Sequence, residues 1–121
     1  MIQQNIIAYL TGELDFIDDV FWMEQTKGET SLPHIVFKQI SDPALYQSND
    51  KWQRWRFYIT GTTPLSVQEL EMDLYDKLNG LSGDMEGKTL DFVQKIGDDS
   101  SIEKREDGYY QMYVDYRFIY H

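Results

Sequence analysis

The sequence contains no cysteine among its 121 residues, and it has only three prolines and two histidines. Without cysteine there is no disulfide bond, no thiolate nucleophile and no cysteine-ligated zinc site. With only His34 and His121 available, spacing supports no Ser-His-Asp arrangement, and we expect His34 to have a structural or surface role. Apolar runs stay far below the roughly 20 residues that span a bilayer, and no basic N-terminus precedes one, so we expect no membrane span and no secretory signal.

Basic residues are few relative to acidic ones. There are 11 lysines and arginines against 21 aspartates and glutamates, a formal net charge of −10. Residues 61–121 carry −7 of this charge and residues 1–60 carry −3. Because DNA and anionic membranes repel such a chain, we expect neither a membrane nor sequence-specific nucleic acid as a partner.

The apolar content is high enough for a folded domain. Apolar residues make up 41% of the chain and aromatic residues 15%, which is more than a disordered chain contains. No linker, repeat or low-complexity tract divides the sequence, and its length fits one domain at roughly 150 residues each. We therefore predict a single domain over residues 1–121.

The first half of the chain predicts one helix and three strands. Residues 2–12 have apolar side chains at helical spacing, followed by Gly12 as a stop; they are Ile2, Ile6, Ile7 and Leu10. Alternating or continuous apolar patterns predict strands, with polar loops between them. The strands are predicted over 20–24, 34–41 and 51–61, and the loops over 25–32 and 42–50.

The second half predicts a helix and two strands. Ser66 as N-cap and Glu69 three residues later form a capping-box pattern. The inward stripe of this helix is predicted to be Val67, Leu70, Leu74, Leu78 and Leu81, the outward side Glu69, Asp73 and Asp76, and the terminators Gly80 and Gly83. Strands are predicted over 88–97 and 108–120, joined by the charged segment 98–107. The order α-β-β-β-α-β-β indicates an α+β fold, with a mostly antiparallel, twisted sheet of about five strands and both helices on one face.

Residues that could support catalysis or metal binding are scarce. Acidic pairs could hold a hard cation, but without calcium-loop spacing we interpret them as solvated loop charges; they are Asp18-Asp19, Asp98-Asp99 and Glu106-Asp107. The segment Gly83–Thr89 imitates a phosphate-binding loop but is one residue short, follows a helix and opens a strand. We therefore predict no catalytic residue, no metal site and no cofactor.

The strand over 51–61 has two different faces. Trp55, Phe57 and Ile59 alternate toward one side, and Trp52, Arg54, Arg56 and Tyr58 toward the other. In the last strand one face carries Tyr110, Met112, Val114, Tyr116 and Phe118, and the other carries Tyr109, Tyr113, Asp115 and Arg117. Arginine among aromatics is typical of protein interfaces, although packing under a loop and single-stranded nucleic acid binding also fit. We expect Arg54 and Arg56 to project as solvated charges, and the candidate interface residues are Trp52, Arg54, Arg56, Tyr58, Tyr113 and Arg117.

The order of these elements resembles the small tail completion and tail terminator proteins of long-tailed bacteriophages. Three stretches carry the resemblance, together with the short N-terminal helix. They are Leu32 to Phe37 as a Leu-Pro entry into a strand, Arg56 to Leu78 as a strand running into an amphipathic helix, and Tyr113 to Tyr120 as a closing strand. The segments 25–31 and 98–107 match nothing in this pattern.

The resemblance implies a structural role without enzymatic activity. Members assemble into rings, usually hexameric, that stop growth of the tail tube and present a surface to the head connector. It therefore implies a homo-oligomer, a tail tube protein and head connector proteins as partners, and a place in the virion tail or neck after assembly in the host cytoplasm. Two other classes stay open from the residues alone: a small ligand-binding or regulatory domain with the aromatic face lining a pocket, and an enzyme that uses a carboxylate pair.

Overall fold

Two helices and eight strands are present in the computed structural model, which describes residues 2–13, 19–22, 34–41, 51–98 and 101–120. In chain order they are α1 (Ile2–Glu13), β1 (Asp19–Trp22), β2 (His34–Ser41), β3 (Lys51–Gly61), α2 (Pro64–Leu78), β4 (Gly83–Met85), β5 (Lys88–Leu90), β6 (Phe92–Asp98), β7 (Glu103–Lys104) and β8 (Tyr110–Tyr120). The loops predicted over 25–32 and 42–50 lie outside the described residues. Neither helix is long and apolar enough to cross a bilayer.

The main sheet has the strand order β1-β2-β3-β8-β6, with the short β7 also paired to β8. Its centre is the antiparallel pair β3–β8, in register from Lys51 opposite Tyr120 to Gly61 opposite Tyr110. All pairs in this sheet are antiparallel except β1 with β2, which run parallel. The predicted α+β class, with both helices on one face of a mostly antiparallel sheet, is confirmed.

The core lies between this sheet and the two helices. The predicted inward residues of β3 are fully buried, and so are Val114, Tyr116 and Phe118 of β8. Phe57 stacks on Phe37 with ring centroids 5.4 Å apart and meets Tyr116 edge-on at 5.7 Å. Such offset and edge-on aromatic pairs add to the free energy gained from burying their area. The alternation read from the sequence therefore gives the correct inward face of both central strands.

The start of α2 differs from the prediction. Thr63, not Ser66, is the N-cap: the Ser66 N–H donates to Thr63 Oγ1 at 3.1 Å, and the Thr63 N–H donates to Ser66 Oγ at 3.3 Å. Pro64 occupies the first turn, where its missing N–H costs nothing and its fixed φ suits the helix. The predicted capping box with Ser66 as N-cap and Glu69 as partner is therefore wrong, and the N-cap lies three residues earlier.

The inward stripe of α2 is confirmed, but one outward assignment is wrong. The four helical leucine and valine positions are buried, and Leu81 packs against the core just after the helix ends. Asp73, predicted to face outward, is only 9% exposed. It follows Leu70 by three residues, which places it beside the buried stripe rather than opposite to it.

The segment after α2 is a hairpin rather than part of one long strand. β4 and β5 pair antiparallel around a turn in which Glu86 and Gly87 have φ of 49° and 96°. Positive φ at both central positions is typical of a two-residue hairpin turn. The predicted strand over 88–97 is thus interrupted at Asp91, and β4 and β7 were not predicted. The likeness of Gly83–Thr89 to a phosphate-binding loop is a consequence of this turn.

The end of α2 covers the edge of β6. Asn79 is the C-cap, and Gly80, with φ of 85°, donates its N–H to the Val93 carbonyl at 2.7 Å. The Lys95 N–H donates to Asn79 Oδ1 at 3.0 Å. These contacts satisfy edge groups that could otherwise pair with another strand. Gly80 therefore follows the helix end as predicted, whereas Gly83 starts β4.

The Thr63 cap gives a direct test of the start of α2. We expect Thr63→Ala to lower the free energy of unfolding by about 1 kcal/mol, because the Ser66 N–H loses its acceptor. The neighbouring Thr62 is exposed, so Thr62→Ala should change the stability by less than about 0.5 kcal/mol. Urea unfolding of both variants measures the difference, and equal losses would contradict this assignment of the cap.

Candidate interface on the outer sheet face

The main sheet has an outer face, which we define as the side that points away from α1 and α2. Residues directly paired across neighbouring strands share a face, and three adjacent rows of side chains form the middle of this side. The rows are Val36–Tyr58–Tyr113, Lys38–Arg56–Asp115 and Arg54–Arg117–Gln94. They contain four bases and one acid. The middle of the outer face is therefore basic in a chain whose net charge is −10, while the next row places Glu103 opposite Gln111 at the β7 edge.

Asp115 is the centre of this face and is only 1% exposed. Its Oδ2 accepts hydrogen bonds from Arg54 Nε at 2.8 Å and Arg54 Nη2 at 2.5 Å. Arg56 donates from Nε to Oδ1 at 2.8 Å and from Nη2 to Oδ2 at 3.1 Å. A buried carboxylate is tolerated only when opposite charges and hydrogen bonds replace its water. The two guanidinium groups, with side chains 37% and 25% exposed, supply that replacement.

Tyrosine side chains also contact Arg56. The guanidinium carbon of Arg56 lies 4.2 Å from the Tyr113 ring centroid, a cation–π distance. Tyr58 lies beside Tyr113, with centroids 6.1 Å apart, and the Lys38 ammonium is 5.8 Å from the Tyr58 ring. The hydrogen bond to Asp115, assisted by one to Tyr58, raises the pKa of Arg56 above its ordinary value against the opposing effect of burial. Arg56 is thus a fixed cation.

The structure brings five of the six predicted interface residues together: Arg54, Arg56, Tyr58, Tyr113 and Arg117. Trp52 is paired with Ile119 in the β3–β8 register, but its side chain lies outside the described part of the chain. Arg117 donates from Nη2 to Gln94 Oε1 at 2.7 Å. That these side chains contact a partner stays a prediction.

The expectation that Arg54 and Arg56 are solvated charges is wrong. Both are engaged by Asp115, so their first role is inside the subunit. Alternation correctly put Asp115 on the arginine face, but it does not give the register between distant strands. That register sets Arg56 directly opposite Asp115, with Arg54 two residues earlier in β3. Lys38 and Gln94, which complete the rows, were missed for the same reason.

A cleft of about 620 Å³ adjoins the outer face beside the turn between β7 and β8. Tyr58, Tyr113, Gln111 and Met112 form one side, and the charged run Glu103 to Asp107 forms the other. Within that run Arg105 Nη2 and Asp107 Oδ2 pair at 3.0 Å, and both side chains are 42% exposed. Ligand pockets are mostly lined by apolar side chains, so this charged cleft differs from them.

The acidic pairs form no candidate metal site in the described part of the chain. Across the described residues, no three carboxylate or imidazole side chains gather closely enough to hold an ion. Glu106 and Asp107 are exposed at the turn before β8. Asp18 and Asp99 lie outside the described residues, and so do the side chains of Asp19 and Asp98. His34 is half-buried at the start of β2, opposite Thr60.

Comparison with known proteins gives a likeness of fold. No family model matches the chain, and no curated protein matches its sequence. A solved structure that it resembles is a chain of the "Virion of native gene transfer agent (GTA) particle", with a TM-score of 0.63. The likeness covers 98% of this chain and 90% of that chain at 10% sequence identity. The likeness therefore shows that the two chains share a fold over nearly their whole lengths.

Proposed function

We propose that this chain is a structural protein of a phage-like virion, where it forms a ring that caps the tail tube and joins the tail to the head. The observation that carries the proposal is the fold shared, over nearly the whole chain, with a component of a gene transfer agent virion. The resemblance of its sequence pattern to tail completion and tail terminator proteins supports the same role. We propose that the chain acts by assembly and not by catalysis.

The charge distribution supports assembly around DNA. The three middle rows of the outer face hold a net charge of +3 from four bases and one acid, while the whole chain holds −10, so the rest of the chain carries −13. If the outer face is covered by a neighbouring subunit, the assembled ring exposes acidic surface. Like charges do not adsorb, and DNA passing through such a ring would not be retained. The partners in this proposal are further copies of the chain, the tail tube protein and the head connector.

A small-molecule or regulatory role is the second candidate. The cleft of about 620 Å³ beside Tyr58 and Tyr113 has a volume in the range of ligand pockets. Its run of five charged residues, Glu103 to Asp107, would select a polar or charged ligand. A ligand that binds this cleft of a monomer at every protein concentration would favour this second role.

Deletion of the gene from the phage-like element that encodes it tests the proposed function. We expect separate heads and separate tails, with tails of abnormal length, because tube growth would not stop and joining would fail. Electron microscopy of the lysate measures tail length and the fraction of joined particles, and addition of the purified protein should restore joining. Joined particles with normal tails in the deletion lysate would refute the role.

A further inference from the structure

Helix α2 carries a second exposed surface, on the opposite side of the molecule from the outer face. Leu65, Met72 and Tyr75 are 63%, 58% and 41% exposed. They are three of the five exposed large hydrophobic side chains among the described residues. At about 100° per residue their positions fall within an arc of roughly 80°. We name these three residues the α2 stripe.

The surroundings of the α2 stripe are acidic. Of the four acids of α2, Asp73 lies beside the buried side. The other three, Glu69, Glu71 and Asp76, stand against the single base Lys77, a net charge of −2. By helical spacing Glu69 and Asp76 lie alongside Leu65 and Met72. A shallow cleft of about 440 Å³ runs between the stripe and β6, lined by Met72, Tyr75, Glu71, Asp76 and Lys95. The stripe is therefore an apolar ridge with carboxylates beside it.

Lys95 does not reverse the sign of this surface. Its ammonium is 3.7 Å from Glu71 Oε2, an ion pair longer than a hydrogen bond, and 5.4 Å from the Tyr75 ring centroid. It is thus held against the base of the helix by one acid and one aromatic ring. Glu69 and Asp76 stay on the outer part of the helix, where a partner would meet them.

The outer face complements the α2 stripe in charge and in chemistry. Its three middle rows have a net charge of +3, and the acids Glu69 and Asp76 lie beside the stripe on α2. The outer face also offers tyrosine rings. Phe92, which is 40% exposed and pairs with Ile119 across β6 and β8, extends this face at one end. Two outer faces would repel each other, and so would two copies of α2. Attraction between copies therefore favours an outer face against an α2 stripe.

We propose that the α2 stripe of one copy of this chain docks on the outer face of the next copy, where Lys38 and Arg117 face Glu69 and Asp76. This inference rests on the proposed function, since it names the contact that builds the ring. The two surfaces are different and lie on opposite sides of a two-layer molecule, so the contact is heterologous. Such a contact closes into a ring or continues as a filament, according to the rotation between copies.

The absence of native cysteine makes site-directed cross-linking a clean test. One variant carries Met72→Cys on the stripe, and another carries Lys38→Cys on the outer face. Each purified variant is oxidised or treated with a short bismaleimide, alone and mixed with the other, over a protein concentration series. The double variant, which carries Met72→Cys and Lys38→Cys in one chain, is treated in the same way, both purified and in virions. As a matched control, Thr89→Cys, an exposed site on β5, replaces Lys38→Cys in the mixture.

The expected result is a cross-linked heterodimer from the mixture and a ladder or closed ring of cross-linked copies from the double variant. Each single variant alone and the mixture with Thr89→Cys should give no cross-linked product. A homodimer of either single variant would show an isologous contact and overturn the inference. Absence of any cross-link in both purified protein and virions would overturn it as well. Neither result affects the deletion phenotype, whereas normal joined particles without the gene refute the proposed function and leave the cross-linked contact standing.

Discussion

Replacement of Leu74 by alanine should lower the free energy of unfolding by about 2–5 kcal/mol. Leu74 is fully buried in the middle of the inward stripe of α2, within the cluster that joins both helices to the sheet. Alanine would leave a cavity that the surrounding core side chains cannot fill without leaving their packed positions. Because a domain of this size has only about 5–15 kcal/mol in total, urea unfolding should show a large shift in the midpoint.

The matched control for this variant lies on the same helix. Asp76 is exposed, and Asp76→Ala should change the stability by less than about 0.5 kcal/mol. Asp73, which the helical pattern placed outward, is unsuitable because it is buried and takes part in a polar interaction. Equal midpoint shifts for the Leu74 and Asp76 variants would show that the buried face of α2 is wrongly assigned.

Reversal of charge at Arg56 should destabilise the subunit by about 3 kcal/mol. A glutamate there would face the buried carboxylate of Asp115, which now accepts two hydrogen bonds from Arg56. Leaving a buried charge uncompensated costs about 3–5 kcal/mol. The lower end applies because Arg54 still holds Asp115 from its other side.

Arg105 provides the comparison for Arg56. Arg105 and its partner Asp107 are both 42% exposed, and an exposed ion pair contributes about 0–1 kcal/mol. The free energy of unfolding of Arg105→Glu should therefore lie within about 1 kcal/mol of that of the unchanged protein in the same urea titration. If Arg56→Glu is no less stable than Arg105→Glu, the ion cluster around Asp115 contributes nothing to the fold.

This cluster also limits which variants can test the interface. A loss of assembly in Arg56→Glu would combine damage to the subunit with damage to the contact. Lys38 pairs across from Arg56 and has no contact with Asp115 among the hydrogen bonds and ion pairs of the described residues. A substitution at Lys38 therefore changes the outer face while leaving the Asp115 cluster intact.

Periodicity was sufficient to predict the elements that bury one face. The alternation of Trp55, Phe57 and Ile59 in β3 and the spacing of leucines in α2 both gave the buried sides correctly. In each case burial of large apolar side chains decides the orientation, and burial depends on a pattern that is local in the sequence. The fold class followed from the order of these elements.

Features that depend on single backbone bonds or on distant register were not predictable in this way. Thr63 and Ser66 both have a hydroxyl that can cap a helix, and the structure uses both in one capping box. The break at Asp91 between β5 and β6 interrupts a run whose composition alone suggests one strand. The candidate site was predicted as a set of residues on one face, but the pairing of Asp115 with Arg54 and Arg56 needs the β3–β8 register.

The position of the chain in assembled particles tests the central claim most directly. Cryo-electron microscopy of particles from the element that encodes it should show this fold as a closed ring at the end of the tail tube nearest the head. The ring should have a fixed number of copies, each with α2 against the outer face of its neighbour. Absence of the chain from the particles, or its presence along the side of the tail with no fixed number of copies, would contradict the account.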